Sequence, residues 1–562
     1  MKYILVTGGV ASGIGKATIA TSIGVILQCH GVRVTVVRLD PKLNIDSSRC
    51  TVKDHGEIFV LDDGSELDAA FGDYENFLNI RLTGDHNITG GKIYSEVISK
   101  ASRGEYGGQK VKVFPHICDA VHEHVTRVAN RPIDGIYELA EVCIIDLKGT
   151  VGDMQSAAFI QALRFFKAKV SSDNFIVVHV CLLPDPNESC KGSVSLNPVS
   201  YSLSEFMKMG INPDIVVCRT RTKFPEGIQA QVNAGMILQQ VICVPDVPNV
   251  YKVPEMLASQ GLGDVINTRL HFERYSADSP TLDSWKELAF RMEHESWDVK
   301  IALVAEQAHH SEAYASAVKA LNHASVACHR NVVIRPFDCG ALYKTVRSGG
   351  RKSVEDMWNQ IRDCHGMLVI GDYREINLEG KILACKFARE NRIPLLAVSS
   401  GMYAAIIEFS RSVLLLDGAA SVAQNPTTKH PLIISSVDRF NNVRKGLRRT
   451  VLSPEPSVTS RLYGGLRFIE ERHRSKFQVN TNYVELLESN GMLFVGRAAD
   501  NSRVDIGELQ GQQFYVAVDF HPEFRSAGLR PSPLYVGLIL AASSQLVDAL
   551  SVISFPLFPT HV

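Results

Sequence analysis

Residues Gly8–Thr18 read Gly-Gly-Val-Ala-Ser-Gly-Ile-Gly-Lys-Ala-Thr. A glycine-rich turn lets successive backbone N–H groups wrap an anion, a helix that follows adds a favourable dipole, and a lysine adds a point charge. The expected chemistry of this loop is phosphate binding, with Lys16 as the cation. The strict P-loop spacing is not met, because five residues separate Gly9 from Gly15 and Ala17 follows the lysine. A glycine turn needed only for tight strand–helix packing is the plainer reading of the same residues. The apolar run Tyr3–Thr7 enters the loop and the helix-period run Ile19–Leu27 leaves it, a context that favours nucleotide binding.

Such a loop needs a scaffold in which strands end and helices begin at one edge. Short apolar runs alternate with helix-period segments along the whole chain, the pattern of an α/β fold with a parallel sheet covered by helices. The expected strands are Tyr3–Thr7, Val34–Leu39, Val142–Leu147, Phe175–Leu183, Ile215–Cys218 and Val241–Val244. A second series comprises Ile301–Val304, Val332–Ile334, Met367–Ile370 and Pro394–Val398, and Tyr535–Ala542 reads as a buried helix. Between the two series a polar stretch with few contiguous apolar residues reads as a linker. The expected organisation is a domain over 1–270, a linker over 271–298 and a second domain over 299–556.

Composition narrows the class. The 562 residues carry 59 Lys+Arg against 60 Asp+Glu, with 45% hydrophobic and 21% charged residues. That is an ordinary globular balance with no global field for nucleic acid or an acidic membrane. The 12 cysteines include no CxxC pair and several lie in apolar runs, so they read as buried reduced thiols. The N-terminal apolar run is too short for a signal peptide, and no stretch reaches the ~18–20 apolar residues of a membrane span. The expected setting is cytoplasmic.

Longer segments carry a family resemblance. They include His55-Gly56-Glu57-Ile58-Phe59-Val60-Leu61-Asp62-Asp63-Gly64, Gly149-Thr150-Val151-Gly152-Asp153, Pro213-Asp214-Ile215-Val216-Val217-Cys218-Arg219, Glu471-Arg472-His473-Arg474 and His521-Pro522-Glu523-Phe524. In order, and over essentially the whole chain, they resemble the CTP synthases, glutamine-dependent amidoligases that convert UTP to CTP. The resemblance implies a P-loop-like parallel-sheet amidoligase domain followed by a class I glutamine amidotransferase α/β domain. It also implies ATP and Mg2+ as cofactors, UTP, glutamine and GTP as ligands, and a homotetramer or a mixed oligomer with active CTP synthase. Residues implied for the nucleotide are Ser12, Gly13, Ile14, Gly15, Lys16, Arg38, His116, Asp153 and Arg219.

Several family positions are altered. The two magnesium carboxylates of the family fall on Ala70 and on Asp146, an Asp where the family has Glu, with Lys148 as an added cation two residues on. Asp68 is the nearby carboxylate that offers a substitute in a different register. The family's UTP lysines fall in Ser195-Leu196-Asn197-Pro198-Val199-Ser200 and at Gln231, and Arg38 replaces a lysine. In the second domain Ser399 stands at the nucleophilic cysteine, with His521 and Glu523 as its partners at His-x-Glu spacing. Tyr403 replaces a glutamine, and Gly371-Asp372-Tyr373-Arg374 replaces the oxyanion loop. A hydroxyl is far harder to ionise than a thiol, so glutamine hydrolysis is expected to be lost. Three readings follow: a CTP synthase with residual ammonia-dependent amination, a pseudoenzyme that partners active CTP synthase, or a serine hydrolase built on Ser399, His521 and Glu523, whose elbow resembles G-x-S-x-G.

Overall fold

A computed structural model describes residues 1–9, 11, 13–48, 50–51, 55–133, 138–183, 197–221, 240–272, 281–295, 297–310, 312–371, 378–436 and 443–552. The chain divides into two compact units that are not its two sequence halves. The first comprises Met1–Arg49 and Ala70–Glu293, the second Cys50–Ala69 and His294–Val562.

In the first unit, seven strands form a parallel sheet among the described residues: β1 Lys2–Gly8, β2 Val34–Asp40, β3 Asn87–Thr89, β4 Val142–Leu147, β5 Phe175–Leu182, β6 Ile215–Thr220 and β7 Gln240–Pro245. Their order is β3-β2-β4-β1-β5-β6-β7. Each expected strand of the first series is present. These runs are mostly apolar because helices cover both faces of the sheet, and all six residues of β4 are buried. Helices α1 (Lys16–Cys29), α2 (Ala70–Leu78) and α3 (Met154–Val170) follow, and their N-termini begin the loops that matter below.

The stretch expected to be a linker behaves differently. Residues 273–280 lie outside the described residues, but Thr281–His294 is a helix, α4, of the first unit. Trp285, Leu288 and Ala289 are buried at i, i+3, i+4 spacing, and the Trp285 ring lies 5.1 Å from Phe77 and 5.7 Å from Tyr251. A narrow apolar stripe among many charges suffices to seat a helix on one face.

The second unit is built on a nine-stranded mixed sheet. Its strands are β8 Asp298–Ala305, β9 Asn331–Asp338, β10 Gly366–Gly371, β11 Leu395–Ser399, β12 Arg444–Leu452, β13 Phe468–Ser475, β14 Met492–Ala498, β15 Val504–Leu509 and β16 Tyr515–Val518. The order is β9-β8-β10-β11-β16-β15-β14-β12-β13, parallel through β16 and antiparallel beyond it. Helix α5 (Ser400–Ser412) packs in the core on one side and the buried helix α6 (Pro533–Ala542) in the core on the other. A hairpin from early in the chain, Ile58–Val60 paired with Glu66–Asp68, belongs to this unit. Arg472 holds Asp62 at 2.6 Å, Arg474 holds Glu66 at 2.9 Å, and Phe59 meets Phe524 edge-on at 5.0 Å.

Candidate active sites

At the end of β1 the glycine loop turns into α1. Gly13 and Gly15 adopt φ of 70° and 87°, the left-handed region that side chains disfavour, so the turn depends on glycine at both. Lys16 opens α1 and its ammonium donates to the Gly149 carbonyl in the loop after β4. Burial lowers the pKa of Lys16; Arg38 and Lys148 push the same way, and Asp146 opposes them. Arg38 and Asp146 are register partners on β2 and β4, with Arg38 Nε 3.7 Å from Asp146 Oδ2. Tyr74 donates its hydroxyl to the same carboxylate at 2.5 Å, from a position one helical turn beyond Ala70 on α2. Lys148 pairs with Asp40 at 3.0 Å.

On the other side of the loop, Arg219 donates to the Gly13 carbonyl at 3.0 Å and pairs with Asp246 at 2.5 Å. A cavity of about 200 Å³ opens there, with Ile14, Gly15, Ile19, Val244 and Val247 as walls beside the Arg219 guanidinium. An apolar slot next to a cationic glycine loop suits a flat base carrying phosphates. Of the other expected residues, Asp153 caps α3 by accepting from the Gln155 N–H at 3.0 Å. His116 is buried, accepts from the Lys112 N–H at 3.1 Å and meets Tyr106 edge-on. Ser12, Ser195, Leu196 and Gln231 lie outside the described residues.

In the second unit β11 runs into α5 through a strained elbow. Ser399 has φ 55° and ψ −113° and is completely buried. Gly401 follows because any Cβ there would strike the Val369 carbonyl of β10. Val398 is in register with Val518 of β16, the strand that leads directly to His521, so serine and histidine leave the same edge of the sheet. His521 Nδ1 lies 2.7 Å from Glu523 Oε1, and Phe524 stacks on the imidazole at 4.9 Å. A carboxylate that accepts from Nδ1 fixes the tautomer in which Nε2 can take a proton. Ser399 Oγ and His521 Nε2 are both buried without a hydrogen bond among the described residues. A hydroxyl, an imidazole and a carboxylate thus lie at one sheet edge, the group types a covalent hydrolase site uses.

One turn after the elbow, Tyr403 fills the interior. Its hydroxyl lies within hydrogen-bond distance of Ser475 Oγ at 2.9 Å, the Phe477 carbonyl at 3.0 Å and the Asp519 carboxylate, to one of which it donates. Arg503 holds Asp519 at 2.9 Å and Arg444 holds Asp505 at 2.7 Å. Burial raises the Asp519 carboxyl, yet Arg503, His473 and Arg444 together hold it at about 2.

Comparison with known proteins decides the family. The CTP synthase N-terminus family matches residues 2–272 and the class-I glutamine amidotransferase family matches residues 309–541. CTP synthase 1-A of Xenopus laevis and CTP synthase 1 of Homo sapiens are each 41% identical over 553 residues, covering 97% of this chain and 93% of the relative. CTP synthase of Drosophila melanogaster is 40% identical over 556 residues, covering 97% and 88%. The chain belongs to the CTP synthase family.

Arg219 and the glycine loop wall one cavity while Lys16 bonds Gly149 on the loop's other side, and Ser399 and the paired His521 and Glu523 leave one sheet edge. Asp372, Tyr373 and Arg374, read from sequence as the oxyanion loop, lie outside the described residues. Tyr74 escaped the sequence reading, although its i+4 spacing from Ala70 was the available signal. Two buried groups near the elbow escaped it as well. Lys381 Nζ donates to Ser400 Oγ at 2.9 Å, and Glu57 of the hairpin accepts from the Ser316 N–H and hydroxyl at 2.8 and 2.6 Å. Among the described residues no helix is long and apolar enough to cross a membrane.

Proposed function

We propose that this chain is a CTP synthase paralogue that binds nucleotide in its first unit, has lost glutamine hydrolysis in its second, and assembles with itself or with active CTP synthase in the cytoplasm. One observation carries the loss: the elbow presents a hydroxyl, Ser399, where the family's thiolate works. A thiol ionises near ~8.5, whereas a serine hydroxyl does not ionise in the working range, and His521 alone must then do what pKa does for cysteine. Tyr403, its hydroxyl held among Ser475, Phe477 and Asp519 one turn away, supports the same reading. The family reaction needs ammonia at the uracil ring of UTP after ATP-dependent activation. This chain supplies no ammonia of its own on this reading.

Glutaminase activity and CTP formation are measured on one preparation, with glutamine and then with ammonium as nitrogen donor. The expected result is no glutamate release and no glutamine-driven CTP, together with co-purification of an active CTP synthase subunit. Glutamate release at a rate typical of the family, about 1–10³ per second for enzymes generally, would sink the proposal. The kept glycine loop, Lys16 and Arg219 favour a second reading, amination driven by external ammonium alone, which the ammonium arm reads directly. A fluorophosphonate probe tests the serine-hydrolase reading, and absence of label on Ser399 removes it.

A further inference from the structure

The family's magnesium ion is held by carboxylates at the positions of Ala70 and Asp146. Magnesium demands near-octahedral oxygen ligands at ~2.0–2.1 Å. Ala70 offers a methyl group. Asp146 is buried, and its Oδ2 already accepts from Tyr74 at 2.5 Å and faces Arg38 at 3.7 Å. That leaves Oδ1, a single buried oxygen without a hydrogen bond among the described residues. One oxygen beside a guanidinium is a poor donor set for a divalent cation, and the residues present do not fit the group.

The charges around that carboxylate have changed in a compensating way. Ala70 replaces an acid, which removes one negative charge, and Lys148 replaces a glycine of the family's Gly-Gly-Thr segment, which adds one positive charge. Together the two changes equal the charge of one magnesium ion. Lys148 is placed to act. It follows β4 directly, its ammonium rests on Asp40 at 3.0 Å, and the next residue, Gly149, accepts from Lys16. Lys16, Arg38 and Lys148 set against Asp40 and Asp146 leave one net positive charge before any phosphate arrives. Gly149, which accepts from Lys16, directly follows Lys148, and Arg38 faces Asp146 two residues earlier, so the three cations gather around the C-terminal end of β4.

We infer that this chain holds the phosphates of a nucleoside triphosphate without a divalent cation, with Lys16, Arg38 and Lys148 supplying the charge that magnesium supplies elsewhere in the family. The inference rests on the reading that the glycine loop binds nucleotide. Ammonium and guanidinium groups pair with phosphate oxygens as charge-assisted hydrogen bonds and need no exchangeable metal. They position and neutralise the phosphates but offer no Lewis acid, which accords with a binding role.

Calorimetric titration of the full chain with ATP, in excess Mg2+ and in EDTA, tests this. The two dissociation constants are expected to agree within about threefold, and the Ala70→Asp, Lys148→Gly double variant is expected to bind at least about tenfold more weakly in EDTA than in Mg2+. A tenfold or greater loss on adding EDTA to the unmodified chain overturns the inference and leaves nucleotide binding standing. Binding in neither medium overturns both. If the double variant melts below the parent, Lys148→Ala is read instead, and an affinity in EDTA unchanged from the parent overturns the role of Lys148.

Discussion

The glycine-loop crevice of the first unit and the elbow of the second hold their charged groups in opposite ways. In the crevice two left-handed glycines, Gly13 and Gly15, turn the loop, and beside it Arg38 faces Asp146 and Lys148 pairs with Asp40. At the elbow His521 and Glu523 pair inside the unit, and one turn on Tyr403 meets Asp519 in a buried network. In a half-open crevice a charge can lose its partner at little cost, because solvent and counter-charges replace what is gone. In a fully buried network it cannot, because a stranded charge has nothing to replace its partner.

Removing one carboxylate from each region sharpens this contrast most. Asp519 is buried between Arg503, Arg444 and Tyr403, and Asp519→Ala strands buried guanidinium charge. A cost of about 3–5 kcal/mol is expected, since breaking a buried pair leaves its partner uncompensated. Asp40→Ala removes the partner of Lys148, whose ammonium can turn to water, and about 1 kcal/mol or less is expected. Urea denaturation of both variants checks the pair, and equal costs would erase the distinction drawn here.

The two glycines give the next effect. Gly401→Ala drives a methyl into the Val369 carbonyl, an obstacle of backbone, and should cost about 3 kcal/mol. Gly13→Ala meets nothing within 4 Å and suffers only its φ of 70°, a penalty of about 1–2 kcal/mol. Thermal melts followed by circular dichroism separate the two. A larger loss at Gly13 would mean that the crevice, and not the elbow, is the tightly packed region.

How much of this was legible beforehand follows from the range of the interactions. Strands β1, β2 and β4 announce themselves as apolar runs because both sheet faces are covered, and the glycine loop is a local signal. Strand β12, with three arginines and a lysine, is not an apolar run, since its burial alternates along the edge region of the sheet. The hairpin at Ile58–Asp68 pairs with Arg472 and Arg474 across separations of 410 and 408 residues, which no local pattern encodes. The elbow serine was placed by resemblance. That Tyr403 would spend its hydroxyl on Asp519, and Tyr74 on Asp146, depended on distances between elements and became visible only in the fold.

Mild acid separates the regions by sign. Burial raises the Glu57 carboxyl, which binds Ser316 in the second unit, from 4.5 to about 7, with Glu523 adding to the shift. Between those two values the folded unit keeps a proton that the unfolded chain releases, so this contribution is greatest below pH 4.5 and is lost as pH rises to about 7. In the first unit His179 sits between Thr7 at 2.8 Å and Ser202 at 2.9 Å, and burial, with Lys16, lowers its imidazole from 6.5 to about 3. There the unfolded chain takes the extra proton, and stability is lost as pH falls from 6.5 towards 3. Glu57→Gln removes the first effect while its amide oxygen still accepts from Ser316. The variant should match the parent near pH 5 and exceed it at pH 8 by on the order of 2–3 kcal/mol. Hydrogen exchange of each unit across pH 5–8 reads both signs at once, and a Glu57→Gln variant less stable than the parent at pH 8 would show that this carboxyl is held ionised after all.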